Sequence, residues 1–376
     1  MKRILTCCLT LILSKSMLFG QDIKNQVQAI ADQYKAVGVA YVVVKDGKVI
    51  MKDALGKSSI ENNTPLDVDR HLFRIASISK SFTSTAIMQL VEKGKISLDD
   101  DFGDLVGFPI RNPNFPDKKI TLRMVLSHTS SINDVNGYFE LDVINPAKNP
   151  NWQKSYNSYE PGTDYQYCNL NFNMAGAVLE RLTNVRFDTY IRQQILNPLG
   201  LQAGHCVDSL DQTRFASLYA YDSKKDAFEV QPLAYHPRRE EISNYVMGES
   251  TPIFSPTGGL KISAPDLAQY MMMHMNYGKL GKVKILGKKA SKTMQKKVSE
   301  KEGYGLALLE INKLIEGQHL VGHTGSAYGL YSSMFFNPKE KYGFVVITNG
   351  CVPTSKDGNI ALTSEIINLL YNELVK

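Results

Sequence analysis

The sequence predicts an α+β fold: one antiparallel sheet built from both ends of the chain, flanked by N- and C-terminal helices, with a mainly helical domain inserted between. Three observations carry this reading. Runs rich in β-branched residues stand near both ends of the chain. A helical period dominates the middle, and amphipathic helical patterns lie outside both strand-rich regions. Strand-rich ends separated by a helical centre form one layered unit when the ends pair with each other.

Residues 23–35, IKNQVQAIADQYK, space Ile23, Val27, Ile30 and Tyr34 at helical intervals. The stretch VGVAYVVVKDGKVIMKDALG then sets two β-rich runs around Asp46-Gly47, the strongest short-range hairpin signal. From Phe82 to Val91 the pattern is helical, with Gly94 as C-terminal cap. Further helical patterns follow at Leu122–Leu126, Asn171–Leu182 and Phe187–Ile195, separated by Asn- and Pro-rich loops. After Thr257-Gly-Gly a helix is expected from Pro265 to Tyr277, and the lysines from Lys279 to Lys297 read as a solvated helical face. Strand patterns return at Gly305–Ile311, His319–Val321, Ser332–Phe336 and Tyr342–Thr348, and a helix closes the chain over Ile360–Leu374. The expected division is a sheet domain from residues 21–75 and 255–376, and a helical insert over 76–254. Internal repeats and low-complexity segments are absent from the sequence.

The chain has 376 residues and opens with Met1-Lys-Arg, an apolar run from Ile4 to Leu13 and a small residue at Gly20. That order describes a secretory signal peptide over residues 1–20, with an exported, periplasmic or secreted product. The run is too short to span a bilayer, which takes about 20 apolar residues, and no later stretch is apolar enough. Net charge is +6; the leader holds three basic residues and no acid, so +3 remains after cleavage. That balance is too mild to argue for nucleic acid. Cleavage leaves Cys168, Cys206 and Cys351, an odd number, and a chain of this size needs no disulfide framework.

The chemistry candidates begin at RIASISKSFTSTA. If a helix starts there, residues three apart share a face, and Lys80 lies beside Ser77. A serine hydroxyl needs a neighbour to take its proton, and a desolvated lysine can serve. The helix start also offers a backbone N–H to a developing oxyanion. An isolated Ser-x-x-Lys is more often a capping serine and a solvated lysine. Two later stretches change the balance: Tyr167-Cys-Asn169 after Glu160-Pro-Gly, and His323-Thr-Gly325 leading into Ser326-Ala-Tyr-Gly329.

In this order the three stretches resemble the active-site elements of serine β-lactamases and penicillin-binding proteins. RIASISKSFTSTAIMQLVEKGKISLDD, ITLRMVLSHTSSI, PTGGLKISAPDLAQYM and YGLALL are similar to blocks of the class C β-lactamase-related serine hydrolases. The resemblance covers roughly residues 25–375 and is specific to family, not to substrate. It implies a β-lactamase/transpeptidase-like fold and a small-molecule or peptide-like acyl substrate. It makes Ser77 the acyl-accepting nucleophile, Lys80 its proton partner and Tyr167 the shuttle to the leaving group. Asn169 would hold the acyl-side carbonyl, with His323, Thr324 and Gly325 lining the substrate strand. The backbone N–H groups of Ser77 and Ser326 would form the oxyanion hole. No carboxylate lies in the three motifs, so a proton shuttle must come from Lys80, Tyr167 or His323.

Other constellations carry less. His319 and His323 are four apart, but Gly322 and Gly325 argue against a helix that would aim both at one metal. Asp99-Asp-Asp101 reads as a cap for a following turn, and His128 as a satisfied buried histidine. No Gly-rich phosphate loop is present, so no cofactor is indicated.

The chain departs from the family pattern at three places. His323 stands where class C β-lactamases carry lysine, so a permanent cation for a substrate carboxylate is missing there. Cys168 replaces the usual serine or alanine, and Ser131 the glycine after His-Thr-Ser. The expected reaction is hydrolysis or transfer of an ester or amide acyl group, of the esterase/acyltransferase or D-amino-acid peptidase type. β-Lactamase or D-Ala-D-Ala carboxypeptidase activity is the alternative. A penicillin-binding-like sensor that acylates without turnover is the alternative of another class.

Overall fold

The structure, a computed structural model, describes residues 20–356 and 358–376. The leader expected over residues 1–20 falls outside the described residues, save Gly20. Helix α1 covers 20–33. Strands β1 (Gly38–Lys45) and β2 (Lys48–Ser59) follow, then the two-residue β3 (Thr64–Pro65). The Asp46-Gly47 turn between β1 and β2 has φ of 52° and 73°, the left-handed pair that a two-residue hairpin requires.

The remaining strands of the main sheet come from the other end of the chain: β4 (Leu309–Ile311), β5 (Leu320–Ala327), β6 (Leu330–Asn337) and β7 (Tyr342–Gly350). The order across the seven-stranded sheet is β4-β5-β6-β7-β1-β2-β3. β7 pairs antiparallel with β1, with Val42 opposite Val345. That one pairing joins the two chain ends, as the strand patterns imply.

Both faces of the sheet are covered, which is why β1 and β7 are apolar on both sides. On one face Tyr41, Val43, Phe344 and Val346 pack against Ile23 and Val27 of α1, and against Ile366 and Leu370 of the closing helix α5 (Ala361–Leu374). Tyr34 Oη donates to Glu365 Oε1 at 2.7 Å and ties the two helical ends together. On the other face Ala40, Val42, Met334 and Ile347 belong to the large core that also contains the helical middle. Each fully buried side chain of this size contributes about 1.5–3 kcal/mol by leaving water.

Three helices within that core position the site. Helix α2 (Ser79–Glu92) is buried at every position from Ser79 to Leu90, as befits a central helix walled in on all sides. It closes at Gly94 (φ 67°), with Lys95 N–H returning to Leu90 O. Helix α3 (Asn169–Thr183) packs on α2. Helix α4 (Ala264–Met275) lies on the sheet; the Ser263 side chain caps it by accepting from Asp266 N–H.

Three expected elements differ. The strand expected over Gly305–Ile311 narrows to Leu309–Ile311, because Ala307 (φ 62°) and the Gly305 N–H bond to Leu308 O turn the chain first. The lysine-rich stretch from Lys279 is not one helical face. It forms a small hairpin, Lys279–Leu280 with Val283–Lys284, and then a short helix, Lys288–Gln295. The helix at Phe187 ends at Ile191 and passes into one wider π turn, Arg192–Leu196.

Candidate active site

Ser77 sits in a 3₁₀ turn, Ala76–Ile78, that feeds directly into α2. Ala76, immediately before it, holds φ at 50°, a left-handed conformation that costs a non-glycine residue free energy and that clusters at functional sites. Ser332 Oγ donates to Ile75 O at 3.0 Å and fixes the chain there. The kink leaves Ser77 partly open to the cleft, while Lys80, one turn on, is fully buried.

Lys80 Nζ donates to Ser77 Oγ (3.1 Å), Asn169 Oδ1 (2.9 Å) and Thr257 O (2.9 Å). Three acceptors use all three ammonium donors. Burial pulls its pKa down from 10.5 to about 7, against the opposing pull of Asp134. At neutral pH a large fraction is therefore free amine, with a lone pair available to the Ser77 hydroxyl. Tyr167 covers the group from above, its ring centroid 4.7 Å from Nζ. Burial pushes the Tyr167 phenol well above its usual range, so it stays protonated; the neighbouring Ser77 hydroxyl opposes that shift. Its Oη has no hydrogen-bond partner among the described residues.

Asn169, at the start of α3, is committed to this scaffold. Its Oδ1 also accepts from Thr257 Oγ1 (2.8 Å), and its Nδ2 donates to Asp134 Oδ2 (3.0 Å). Asp134 further accepts from the backbone N–H groups of Asn169 (2.8 Å) and Leu170 (3.0 Å) and from Cys168 Sγ (3.2 Å). A carboxylate on the exposed N–H groups of a helix start is well placed electrostatically.

The third motif lies on β5. Its outer neighbour β4 pairs with residues 320–322, so among the described residues the edge from His323 to Ala327 has no strand partner on the side away from β6. His323 is buried, with Nδ1 on Thr324 O and Nε2 on Tyr304 Oη at 2.9 Å. A carbonyl at Nδ1 fixes the proton there, so Nε2 accepts from the tyrosine. Burial, aided by Lys80, lowers the pKa of His323 to about 3, and the ring is neutral. Its hydrogen-bonding partner is thus Tyr304, not Tyr167, whose ring centroid is 6.4 Å away.

Thr324 and Ser326 line the cleft, a cavity of about 1010 Å³ that also takes in Ser77, Tyr167, Asn169 and Arg74. Gly325 also has a packing reason of its own. A Cβ there would lie 2.2 Å from Ile75 O, so only glycine lets β5 approach the turn that carries Ser77.

His128 is buried but only half satisfied. Nδ1 accepts from Cys168 N–H (3.1 Å), whereas Nε2 has no partner among the described residues. Its ring lies 4.3 Å from that of Tyr167 and backs it. Ser131 keeps the left-handed turn (φ 62°) where glycine is usual, and its Oγ accepts from Asn112 Nδ2 at 2.9 Å. Asp101 caps the helix Phe102–Val106 through Gly103 N–H, as its sequence predicts. His319 is bonded to Asn312 at the surface and does not share a site with His323. Cys168, Cys206 and Cys351 are free and buried. Among the described residues no helix is long and apolar enough to cross a membrane.

Sequence reading missed four of these participants: Asp134, Thr257, Tyr304 and Arg74. Thr257 and Tyr304 stand in the PTGGLK and YGLALL blocks, so a signal was present without a role. Asp134 had none, because it reaches Asn169 only through the fold.

Comparison with known proteins bears on the family and the fold. Protein flp of Staphylococcus aureus (strain COL) is 25% identical over 325 residues; the match takes in 83% of this chain and 59% of that protein. The chain thus spans about six-tenths of the length of the first curated relatives it matches. A beta-lactamase of Lysobacter lactamgenus is 25% identical over 380 residues, covering 92% of this chain and 90% of that protein. Among solved structures, EstCE1, a hydrolase with promiscuous acyltransferase activity, superposes with TM-score 0.73 at 20% identity (95% and 99% covered). The D-amino acid amidase of Ochrobactrum anthropi SV3 gives 0.70 at 20% identity (94% and 99%). At such identities these likenesses speak to the fold. The beta-lactamase family model matches residues 23–365, and the chain belongs to that family.

Proposed function

We propose that this protein hydrolyses or transfers the acyl group of an ester or amide through a Ser77 acyl-enzyme. The observation that carries the reading is the 3.1 Å contact between Ser77 Oγ and the buried Nζ of Lys80, with burial holding the amine near pKa 7. Ser77 Oγ attacks the carbonyl carbon while its proton passes to Lys80 Nζ. The backbone N–H groups of Ser77 and Ser326 receive the oxyanion. The bond to the leaving group then breaks as that group takes the phenolic proton of Tyr167, and the Lys80 cation formed in the first step stabilises the phenolate and returns its proton. Water, an alcohol or an amine attacks the acyl ester, the C–Oγ bond breaks and Ser77 regains its hydrogen. The uncovered edge of β5 offers main-chain hydrogen bonds to a peptide-like substrate.

Esterase or acyltransferase action and D-amino-acid amide hydrolysis are favoured over β-lactam hydrolysis. The reason is His323: a neutral imidazole replaces the lysine that would hold a penicillin carboxylate in the third motif. The fold likeness to an esterase with acyltransferase activity and to a D-amino acid amidase is consistent with that order. We also propose export, from the basic start and short apolar run; the N-terminus of the mature protein should lie near residue 20.

Intact-protein mass spectrometry after exposure to p-nitrophenyl esters, D-amino-acid amides and β-lactams tests the proposal. A transient acyl adduct on Ser77 from esters or amides is expected. A permanent one-equivalent adduct without turnover would make the protein a sensor, and no adduct from any class would refute the acyl-enzyme.

A further inference from the structure

The short antiparallel pair Phe73–Arg74 with Lys261–Ile262 sets Arg74 directly opposite Lys261. Like charges facing each other across a strand pair repel, and this pair is also withdrawn from solvent. Lys261 is buried and Arg74 only partly open.

Among the described residues neither cation has a carboxylate within ion-pair distance. Arg74 Nε donates to Gly258 O (3.0 Å) and Nη1 to Ala234 O (3.2 Å); Lys261 Nζ donates to His205 O (2.6 Å). Asp208, whose charge acts on Lys261, is spent on Arg239 and on the Arg238 backbone N–H. Arg74 Nη2 has no protein acceptor among the described residues. Burial, and then the Arg74 charge, push the Lys261 amine well below its usual range; an anion placed between the two groups offsets that cost and favours the charged form of both.

The location gives the anion a source. Arg74 is three residues upstream of Ser77 and lines the same 1010 Å³ cavity. It also lines a side cavity of about 30 Å³ together with Lys261, Ser255 and Tyr328. Such a volume admits a group the size of one or two waters, which suits a carboxylate head. The guanidinium is held under the Tyr328 ring, 4.9 Å from its centroid. Tyr328 in turn is fixed by the left-handed Tyr328-Gly329 turn between β5 and β6 (φ 55° and 78°). A planar, pre-oriented guanidinium with a free nitrogen is the fitting partner for a carboxylate.

We infer that Arg74, backed by Lys261, is a carboxylate-accepting subsite of the catalytic cavity, and that the substrate is an ester or amide bearing a free carboxylate. This rests on the Ser77 reading. It supplies the permanent positive charge that the third motif lacks, from a different stretch of the chain.

The test compares kcat/KM for p-nitrophenyl hydrogen glutarate and p-nitrophenyl methyl glutarate in wild type, Arg74→Gln and Lys261→Met. Wild type should prefer the anionic ester. That preference should fall about 10- to 100-fold in Arg74→Gln, the effect of one charge-assisted hydrogen bond, and less in Lys261→Met. No wild-type preference, or an unchanged ratio in folded Arg74→Gln, overturns the inference. A binding arm needs neither catalysis nor a folded variant: glutarate should raise the wild-type Tm and glutaramide should not, and equal effects overturn the subsite. Fluorophosphonate labelling of Ser77 is read in parallel. Its absence, with the glutarate shift intact, would sink the Ser77 chemistry and leave the subsite standing.

Discussion

Lys80 Nζ lies 3.1 Å from Ser77 Oγ, and no carboxylate among the described residues is within ion-pair distance of it. The amine is held near pKa 7 by burial, and the opposing charge nearest to it is Asp134. If the free amine takes the serine proton, acylation needs Lys80 deprotonated. The acylation rate should therefore rise as pH increases through about 7 and level off above it. Removing the Asp134 charge takes away the largest influence that raises the Lys80 pKa. Asp134→Asn should move the midpoint below 7 and lower Tm, because an amide cannot accept the Asn169 and Leu170 N–H groups on both atoms. Stopped-flow burst rates from pH 5.5 to 9 measure this; a midpoint that moves upward in the variant would contradict it.

Tyr167 is kept protonated by burial, which assigns it to donating a proton to the leaving group. Tyr167→Phe and Lys80→Ala should each cost about 10²–10⁴-fold in rate. The double variant should lose far less than the product, since the two act on one proton path. The Tyr167→Phe loss should be smaller for a p-nitrophenyl ester, whose leaving group needs little protonation, than for an alkyl ester. Equal losses on both would take the role away from Tyr167.

His323 should remain neutral, with its proton on Nδ1, across the working range. Its pKa is depressed to about 3, so no activity step between pH 5 and 7 belongs to it. Long-range ¹⁵N correlation spectra should show one His323 tautomer unchanged from pH 5.5 to 8.5. Loss of the Tyr304 hydroxyl in Tyr304→Phe should perturb the Nε2 resonance and leave Nδ1 little changed. A ring that titrates near 6.5 would contradict the buried network.

Gly325→Ala tests the close approach of β5 to the nucleophile turn. The added methyl meets Ile75 O at 2.2 Å, a backbone atom that cannot step aside. Overpacking of this kind typically costs about 1–3 kcal/mol. The variant should melt at lower temperature and label more slowly at Ser77, because the displaced segment sets the Ala76 kink. A wild-type Tm with wild-type labelling would show that the contact relaxes freely.

The architecture was largely legible because hydrophobic period survives without neighbours. β1 and β7 announce themselves as unbroken apolar runs, and Asp46-Gly47 specifies its own turn. The lysine stretch after Lys279 misled because exposed lysines carry no period; the hairpin there is decided by Gly278 and Gly281. At the candidate site, Ser77, Lys80, Tyr167 and His323 were singled out by their order along the chain. Asp134 and Arg74 were not, since each acts through partners more than 30 or 180 residues distant, Asn169 for the one and Lys261 for the other. His128 looked satisfied because sequence shows that a histidine is buried, not which nitrogen is left over.

The central claim is that Ser77 is the nucleophile. A fluorophosphonate probe followed by intact-mass and peptide analysis tests it most directly, in wild type and Ser77→Ala. One adduct per chain, located on Ser77 and absent from a folded Ser77→Ala protein, is the result predicted. Labelling that persists in Ser77→Ala, at Ser79 or elsewhere, would contradict it.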